Sequence, residues 1–106
     1  SMAAVIGGST QYVDYAASKA AIDTFTIGLS REVAAEGIRV NAIRPGIIET
    51  DIHASGGQPD RPKEMASSIP MKRTGEAEEV ADAIVYLLSP SASYITGAIL
   101  NVSGGR

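Results

Sequence analysis

Tyr15 and Lys19 stand four residues apart in the run Tyr-Ala-Ala-Ser-Lys, a sequence that predicts a helix. Residues four apart on a helix share one face, so the phenol and the ammonium are expected to be neighbours. A phenol ionises near pH ~10 in water, and a positive charge within reach favours the phenolate. The pair is therefore suited to proton transfer by the tyrosine, but most pairs with this spacing are solvated surface neighbours, and spacing alone does not decide.

A second motif, Arg-Val-Asn-Ala-Ile-Arg-Pro-Gly, follows at residues 39–46. Together with Tyr-x-x-x-Lys it resembles the short-chain dehydrogenase/reductase family, and the resemblance runs from Ser1 to Gly105. It implies NAD or NADP as cofactor and a small alcohol or carbonyl substrate. Tyr15 would be the general acid or base, and Lys19 would hold the ribose hydroxyls of the nicotinamide and lower the pKa of the tyrosine.

The segment Pro45-Gly-Ile-Ile-Glu-Thr50 resembles the family's Pro-Gly-x-x-x-Thr turn. The resemblance assigns cofactor binding to Pro45 and Gly46, with the backbone of Ile48 meeting the carboxamide and Thr50 meeting the pyrophosphate. Taken by itself, Pro-Gly after a β-branched run indicates only a turn that ends a strand.

Ser1 has two interpretations. Family members carry a serine, which hydrogen-bonds the substrate oxygen, at a similar distance before the tyrosine, and the resemblance assigns this catalytic role to Ser1. Ser-Met at the start of a chain is also what remains after a purification tag is removed, so Ser1 can equally be a remnant before a start at Met2.

Composition excludes several function classes. The chain has 106 residues, 44% of them hydrophobic, and a net charge of −3, which is ordinary for one globular domain or part of one. Without a basic stripe or aromatic platform, nucleic-acid binding is not expected. There is no cysteine, and no apolar run is long enough to span a membrane. We expect a cytoplasmic protein with no metal site, since a lone loop histidine such as His53 usually faces solvent.

Periodicity and turn residues predict the elements. A helix is expected over residues 12–36, ending at Gly37, and a strand over Ile38–Pro45. Residues 47–69 are expected to form a flap with a short helix near 63–68. A second long helix is expected from Thr74, with an acidic first turn. Its expected buried face comprises Val80, Ala83, Ile84, Leu87 and Leu88, and a last strand is expected over 98–102.

Two strands joined through a helix predict a parallel crossover, and a parallel sheet needs further strands and cover on both faces. We therefore expect an α/β fold in which residues 1–106 are the C-terminal part of a doubly wound, Rossmann-type domain. The N-terminal nucleotide-binding half would come from elsewhere, because no G-x-G-x-x-G turn is present. The resemblance implies a homo-oligomer, a dimer or tetramer. The alternative is a non-catalytic fragment that only packs against partners.

Overall fold

The computed structural model describes residues 13–49 and 61–106. Ser1, Thr50 and His53 lie outside the described residues. In chain order the elements are α1 (Val13–Val33), a 3-10 turn (Ala34–Glu36), β1 (Ala42–Pro45), β2 (Ile48–Glu49), α2 (Arg61–Ala66), β3 (Gly75–Glu76), α3 (Ala77–Leu88), a 3-10 turn (Pro90–Ala92) and β4 (Ile99–Val102).

The first helix ends as its sequence predicts. After Val33 the chain tightens into a 3-10 turn, and Gly37 adopts a left-handed conformation with φ 77°. The Gly37 amide donates to the Ala34 carbonyl at 3.0 Å, and the Ile38 amide donates to the Val33 carbonyl. Glycine adopts this conformation without a Cβ penalty, so the chain can turn back toward β1.

The main sheet confirms the parallel crossover. β1 pairs in parallel with β4, with Ala42 opposite Ile99 and Pro45 opposite Val102. The predicted start of β1 at Ile38 is wrong by four residues. In residues 39–41 the backbone is held by side chains instead of ladder bonds. Thr96 Oγ1 accepts from the Val40 amide, and the Asn41 side chain donates to the Ile95 carbonyl and accepts from the Ala98 amide.

A second, smaller parallel pair joins the start of the segment expected to be a flap, residues 47–69, to the residues just before α3. The two residues of β2 pair with the two residues of β3, with Ile48 opposite Gly75 and Glu49 opposite Glu76. Because Gly75 and Glu76 are extended, α3 begins at Ala77 and not at Thr74. The short helix near residue 63 is confirmed, two residues earlier than predicted at each end.

The core of the described residues is small. Ile69, Ala92, Leu87 and Ala16 are its buried apolar side chains. The expected buried face of α3 is only partly buried, because Leu87 is 7% exposed whereas Leu88 is 76% exposed. None of the helices in the described ranges combines the length and hydropathy needed to cross a bilayer.

Arg39 joins the end of α3 to the approach of β4. Its guanidinium donates to the carbonyls of Leu87 at 2.7 Å, Ile95 at 3.2 Å and Ser89 at 3.5 Å. Carbonyls at the end of a helix have no partner within the helix, and a cation there is favourable. Arg39 therefore has a structural role: it links the end of α3 to the segments that lead into β1 and β4.

Candidate active site

Tyr15 and Lys19 meet on the same face of α1, as their spacing predicts. The Lys19 ammonium lies 5.3 Å from the centroid of the Tyr15 ring, within the range of a cation–π contact. Tyr15 is 48% exposed, so a ligand can reach it without unfolding the helix. On the next residue of the same helix, Ala16 is buried at 6% exposure. The exposed tyrosine thus stands beside a buried alanine, and Lys19 is half-buried.

The helix α1 and the strand β1 run in opposite directions. Near one end, a Cβ placed on Gly97 would lie 2.7 Å from the Ser30 hydroxyl, and the Gly97 amide donates to the Val40 carbonyl at 2.7 Å. Near the other end, Asp23 on α1 forms an ion pair with Arg44 on β1. Ser30, late in α1, thus lies near the residues before β1, whereas Asp23, earlier in α1, lies near the end of β1.

This alignment determines where Tyr15 and Lys19 lie along the direction of β1. A helix rises 1.5 Å per residue, so Lys19 lies roughly 6 Å, and Tyr15 roughly 12 Å, beyond Asp23 along the axis. Because Asp23 is level with Arg44, the last residue but one of β1, the pair projects past the end of the strand. In open parallel sheets, ligands bind beyond these carboxyl ends.

The Pro45-Gly46 turn at this edge is held by backbone contacts on two sides. The Gly46 amide donates to the Val102 carbonyl at 2.9 Å, and the Gly75 amide donates to the Ile47 carbonyl at 2.9 Å. A Cβ on Gly46 would lie 2.8 Å from both Cα and Cβ of Ser103, a distance that real Cβ atoms do not show. Glycine is needed at position 46 because the turn approaches the end of β4 so closely.

A cavity of about 220 Å³ opens between this turn and the ends of the two small sheets. Ile47 and Ile48 line it from the turn, Ser103 and Gly104 from the segment after β4, and Arg73 from the approach to β3. Its position beyond Val102 is again the carboxyl edge of the parallel pair. The cavity is large enough for one ring system and its substituents, but not for a whole dinucleotide.

Arg73 and Glu79 form a bidentate ion pair at the rim of this cavity. Their two N–H···O contacts measure 2.7 and 2.9 Å, and Glu79 also accepts from the Glu76 amide at 3.0 Å in a capping box that opens α3. The hydrogen bonds from Arg73 and then from the Glu76 amide lower the pKa of Glu79 from 4.5 to about 2. Glu79 in turn raises the pKa of Arg73 above its ordinary value.

Both ion pairs were missed in the sequence. The sequence indicated only an acidic first turn for the helix that contains Glu79, and no prediction paired Arg73 with Glu79 or Asp23 with Arg44. Asp23 repeats the four-residue step from Lys19, and this could have marked it as part of the same face. Within the described residues, no group of three His, Asp or Glu side chains could hold a metal ion.

Comparison with known proteins assigns the family. A family model described as Enoyl-(Acyl carrier protein) reductase matches residues 1–106. The uncharacterized oxidoreductase YgfF of Escherichia coli is 60% identical over 106 residues, which are all of this chain and 43% of YgfF. The FabG 3-oxoacyl-[acyl-carrier-protein] reductase of Vibrio harveyi is 43% identical over 98 residues, which cover 92% of this chain and 40% of FabG.

Solved structures agree with this assignment. A short-chain dehydrogenase/reductase from Brucella melitensis superposes with a TM-score of 0.82 at 41% identity, covering 97% of this chain and 41% of that protein. A blue fluorescent protein from a metagenomic library, solved in complex with NADPH, gives 0.74 at 37% identity, with coverages of 86% and 36%. The chain thus spans about two fifths of the length of these relatives. Its fold is α/β of the Rossmann type, and the chain belongs to the short-chain dehydrogenase/reductase family.

Proposed function

We propose that the protein containing this chain is an NAD(P)-dependent oxidoreductase that interconverts an alcohol and a carbonyl compound, with Tyr15 as general acid or base. The observation that carries this function is the position of the Tyr15–Lys19 face. It projects past the end of β1 to the edge where the Pro45-Gly46 turn and the 220 Å³ cavity lie. An accessible tyrosine with a lysine ammonium 5.3 Å from its ring centroid supports a role in proton transfer.

The proton and the hydride take separate routes. In oxidation, the alcohol O–H proton passes to the Tyr15 oxygen while a hydride leaves the carbon that bears the substrate oxygen; reduction is the reverse. The nicotinamide, when bound, supplies the hydride acceptor or donor. The Lys19 ammonium stabilises negative charge on the Tyr15 oxygen and donates to the ribose hydroxyls. Ser1 would donate to the substrate oxygen.

The residues present fit the nicotinamide end of the cofactor. The cavity accommodates one ring, and the tightly held turn offers backbone groups from Pro45 to Ile48 for the carboxamide. Thr50 would meet the pyrophosphate. The chain has no G-x-G-x-x-G turn, so the phosphate and adenine contacts would come from residues outside 1–106. We accordingly assign residues 1–106 to the C-terminal portion of a single Rossmann-type domain. The cytoplasmic setting stays a prediction.

Substitution of Tyr15 tests this function. In the complete protein, Tyr15→Phe removes the exchangeable proton and little volume, so turnover of an alcohol with NAD or NADP should fall by about 10²- to 10⁴-fold while the circular dichroism spectrum stays unchanged. Tyr86→Phe, on the exposed surface of α3, is the matched control. Full turnover by Tyr15→Phe would remove Tyr15 from its role.

The alternative, a non-catalytic packing module, is favoured by one observation. Large apolar side chains are exposed on both long helices, with Phe25 67% and Leu88 76% accessible. Exposed apolar residues of this kind are commonly covered by a partner or by another part of the protein. A homo-oligomer, dimer or tetramer, is compatible with either function. Sedimentation of the complete protein distinguishes oligomer from monomer, and the turnover assay decides between enzyme and packing module.

A further inference from the structure

The ion pair between Asp23 and Arg44 joins the helix of the proposed active site to the strand that ends in its turn. Arg44 Nε donates to Asp23 Oδ2 at 3.0 Å, and Nη2 donates to the same oxygen. The two side chains are only 19% and 13% exposed. Partly buried arginine–carboxylate pairs are more rigid and less screened by solvent than surface pairs. This contact therefore fixes the position of α1 along β1.

The same carboxylate is placed where it could pair with Lys19. Tyr15, Lys19 and Asp23 follow one another at intervals of four along α1, and oppositely charged residues at this spacing attract one another. Lysine preceding an acid is the weaker order for such a pair, and the planar guanidinium of an arginine binds a carboxylate better than an ammonium does. In the structure Asp23 faces Arg44, and Lys19 lies over the Tyr15 ring.

We propose that Arg44 is a positioning residue: by taking up the charge of Asp23, it leaves the Lys19 ammonium to Tyr15 and to the cofactor ribose. This role rests on the proposed function of Tyr15 and Lys19. Arg44 would act on the lysine indirectly, through Asp23, which lies one helical turn from Lys19. Arg44 also directly precedes Pro45, so the same contact sets the distance between the tyrosine helix and the turn.

Few other charges bear on this site in the described part of the chain. The N-terminal half of α1 carries Asp14, Lys19 and Asp23, and β1 carries only Arg44. The Ile95–Ala98 segment that packs beside α1 has no charged residue. Removal of either member of the ion pair therefore leaves one uncompensated charge about a turn from Lys19, and the sign of that charge differs between the two variants.

Opposite signs separate a charge effect from a merely structural one. Arg44→Gln leaves the Asp23 carboxylate, which attracts Lys19 and disfavours the phenolate. Asp23→Asn leaves the Arg44 cation, which favours the phenolate. Both variants lose the same bridge, so a structural role alone would affect them alike. We expect the ascending limb of kcat against pH, measured for alcohol oxidation, to move in opposite directions by on the order of half a pH unit.

The experiment compares Arg44→Gln, Asp23→Asn and the double variant in the complete protein. The ascending limb of the kcat–pH profile should move to higher pH in Arg44→Gln and to lower pH in Asp23→Asn. In the double variant it should return toward its original position. Arg31→Gln is the control, since it removes an exposed arginine from the same helix. Shifts of both single variants in one direction, or no shift in either, would overturn this role of Arg44.

Two safeguards keep the outcome decisive. If Arg44→Gln does not fold, Arg44→Lys replaces it, because it retains a cation and should leave the ascending limb of the kcat–pH profile in place. Asp23→Asn should still move that limb to lower pH. If the limb does not move in Asp23→Asn, the proposed role of Arg44 is overturned. Failure here is distinguishable from failure of the proposed function. An inactive Tyr15→Phe with unshifted Asp23 and Arg44 variants rejects only the role of Arg44, whereas an active Tyr15→Phe rejects the function itself.

Discussion

The Lys19 ammonium lies 5.3 Å from the centre of the Tyr15 ring, one helical turn from the Asp23 carboxylate that Arg44 neutralises. The two contacts lie one turn apart on α1, and β1 supplies the arginine of the second. An ammonium in this position can act on the phenol and on a ligand at the same time.

Replacement of Lys19 should weaken cofactor binding and slow the reaction together. In Lys19→Met the stem keeps its bulk but loses the charge, so we expect KM for NAD or NADP to rise about 10- to 100-fold, as loss of a hydrogen bond from a charged group implies. Steady-state kinetics of the complete protein measures this change. Lys19→Arg keeps the charge and should lose less. An unchanged KM in Lys19→Met would contradict a ribose contact.

Two glycines should respond oppositely to the same substitution. Gly46→Ala places a methyl group 2.8 Å from the Ser103 backbone, so the turn must move, with an expected loss of about 1–3 kcal/mol in the free energy of unfolding. Gly28, inside α1, has open space at its Cβ position. Gly28→Ala should therefore stabilise the protein by about 0.5–1 kcal/mol.

Urea unfolding of the complete protein measures both glycine variants, and cofactor KM should rise only in Gly46→Ala because only that variant displaces the turn. A Gly46→Ala protein with unchanged stability would show that the turn does not depend on this close approach.

The stability of the protein should depend on the ionisation of Glu79 at acid pH. Its pKa is about 2 in the folded protein against an ordinary 4.5, so its contribution is complete above about 4.5 and is lost as the pH falls toward 2. The melting temperature of Glu79→Gln should lie below that of the original protein at pH 7, and the gap should narrow at pH values below 4.5. High salt should also reduce this difference in melting temperature, because the ion pair between Arg73 and Glu79 is exposed.

Glu78→Gln is the matched control for this prediction, because Glu78 lies in the same first turn of α3 and takes no part in the ion pair with Arg73. Its melting temperature should show no comparable gap. A gap in Glu79→Gln that stays constant between neutral and acid pH would contradict a stabilising carboxylate.

The 106-residue chain should not bind NAD or NADP tightly by itself. Its sequence lacks the glycine-rich turn for the pyrophosphate, and the cavity at its turn holds only part of a dinucleotide. Calorimetry with the purified chain should give no micromolar affinity. A chimera in which this chain replaces the matching region of YgfF, which is 60% identical to it, should restore binding. Tight binding by the chain alone would reject this expectation.

The predictable features were those with local causes. The long helix expected over residues 12–36, observed as Val13–Val33 with a 3-10 turn up to Glu36, was predicted from apolar periodicity and from a glycine that can adopt positive φ. The start of β1 was misplaced because Asn41 and Thr96, far apart in sequence, replace ladder bonds there. The pairing of β2 with β3 was invisible, since two residues are too few to show an alternating pattern.

In the candidate site, too, the features with local causes could be predicted and those that depend on packing could not. Tyr15 and Lys19 are recognisable from their spacing, because one helix positions both. Asp23 and Arg44 are not, because their contact depends on how the helix lies against the strand. Ile84 and Leu88 carry an apolar pattern typical of a buried face, but burial is a property of what packs on them, and within the described residues both remain exposed.

The pairing of Ala42 with Ile99 joins strands separated by more than fifty residues. Such contacts form only after a long loop has closed, so this ladder, and with it the edge that holds the turn, should be among the last parts of the chain to become ordered during folding. The helix bearing Tyr15 and Lys19 is built from local contacts and can form much earlier. Newly made molecules would then carry a formed Tyr15–Lys19 face before the Pro45-Gly46 turn is in place beside β4.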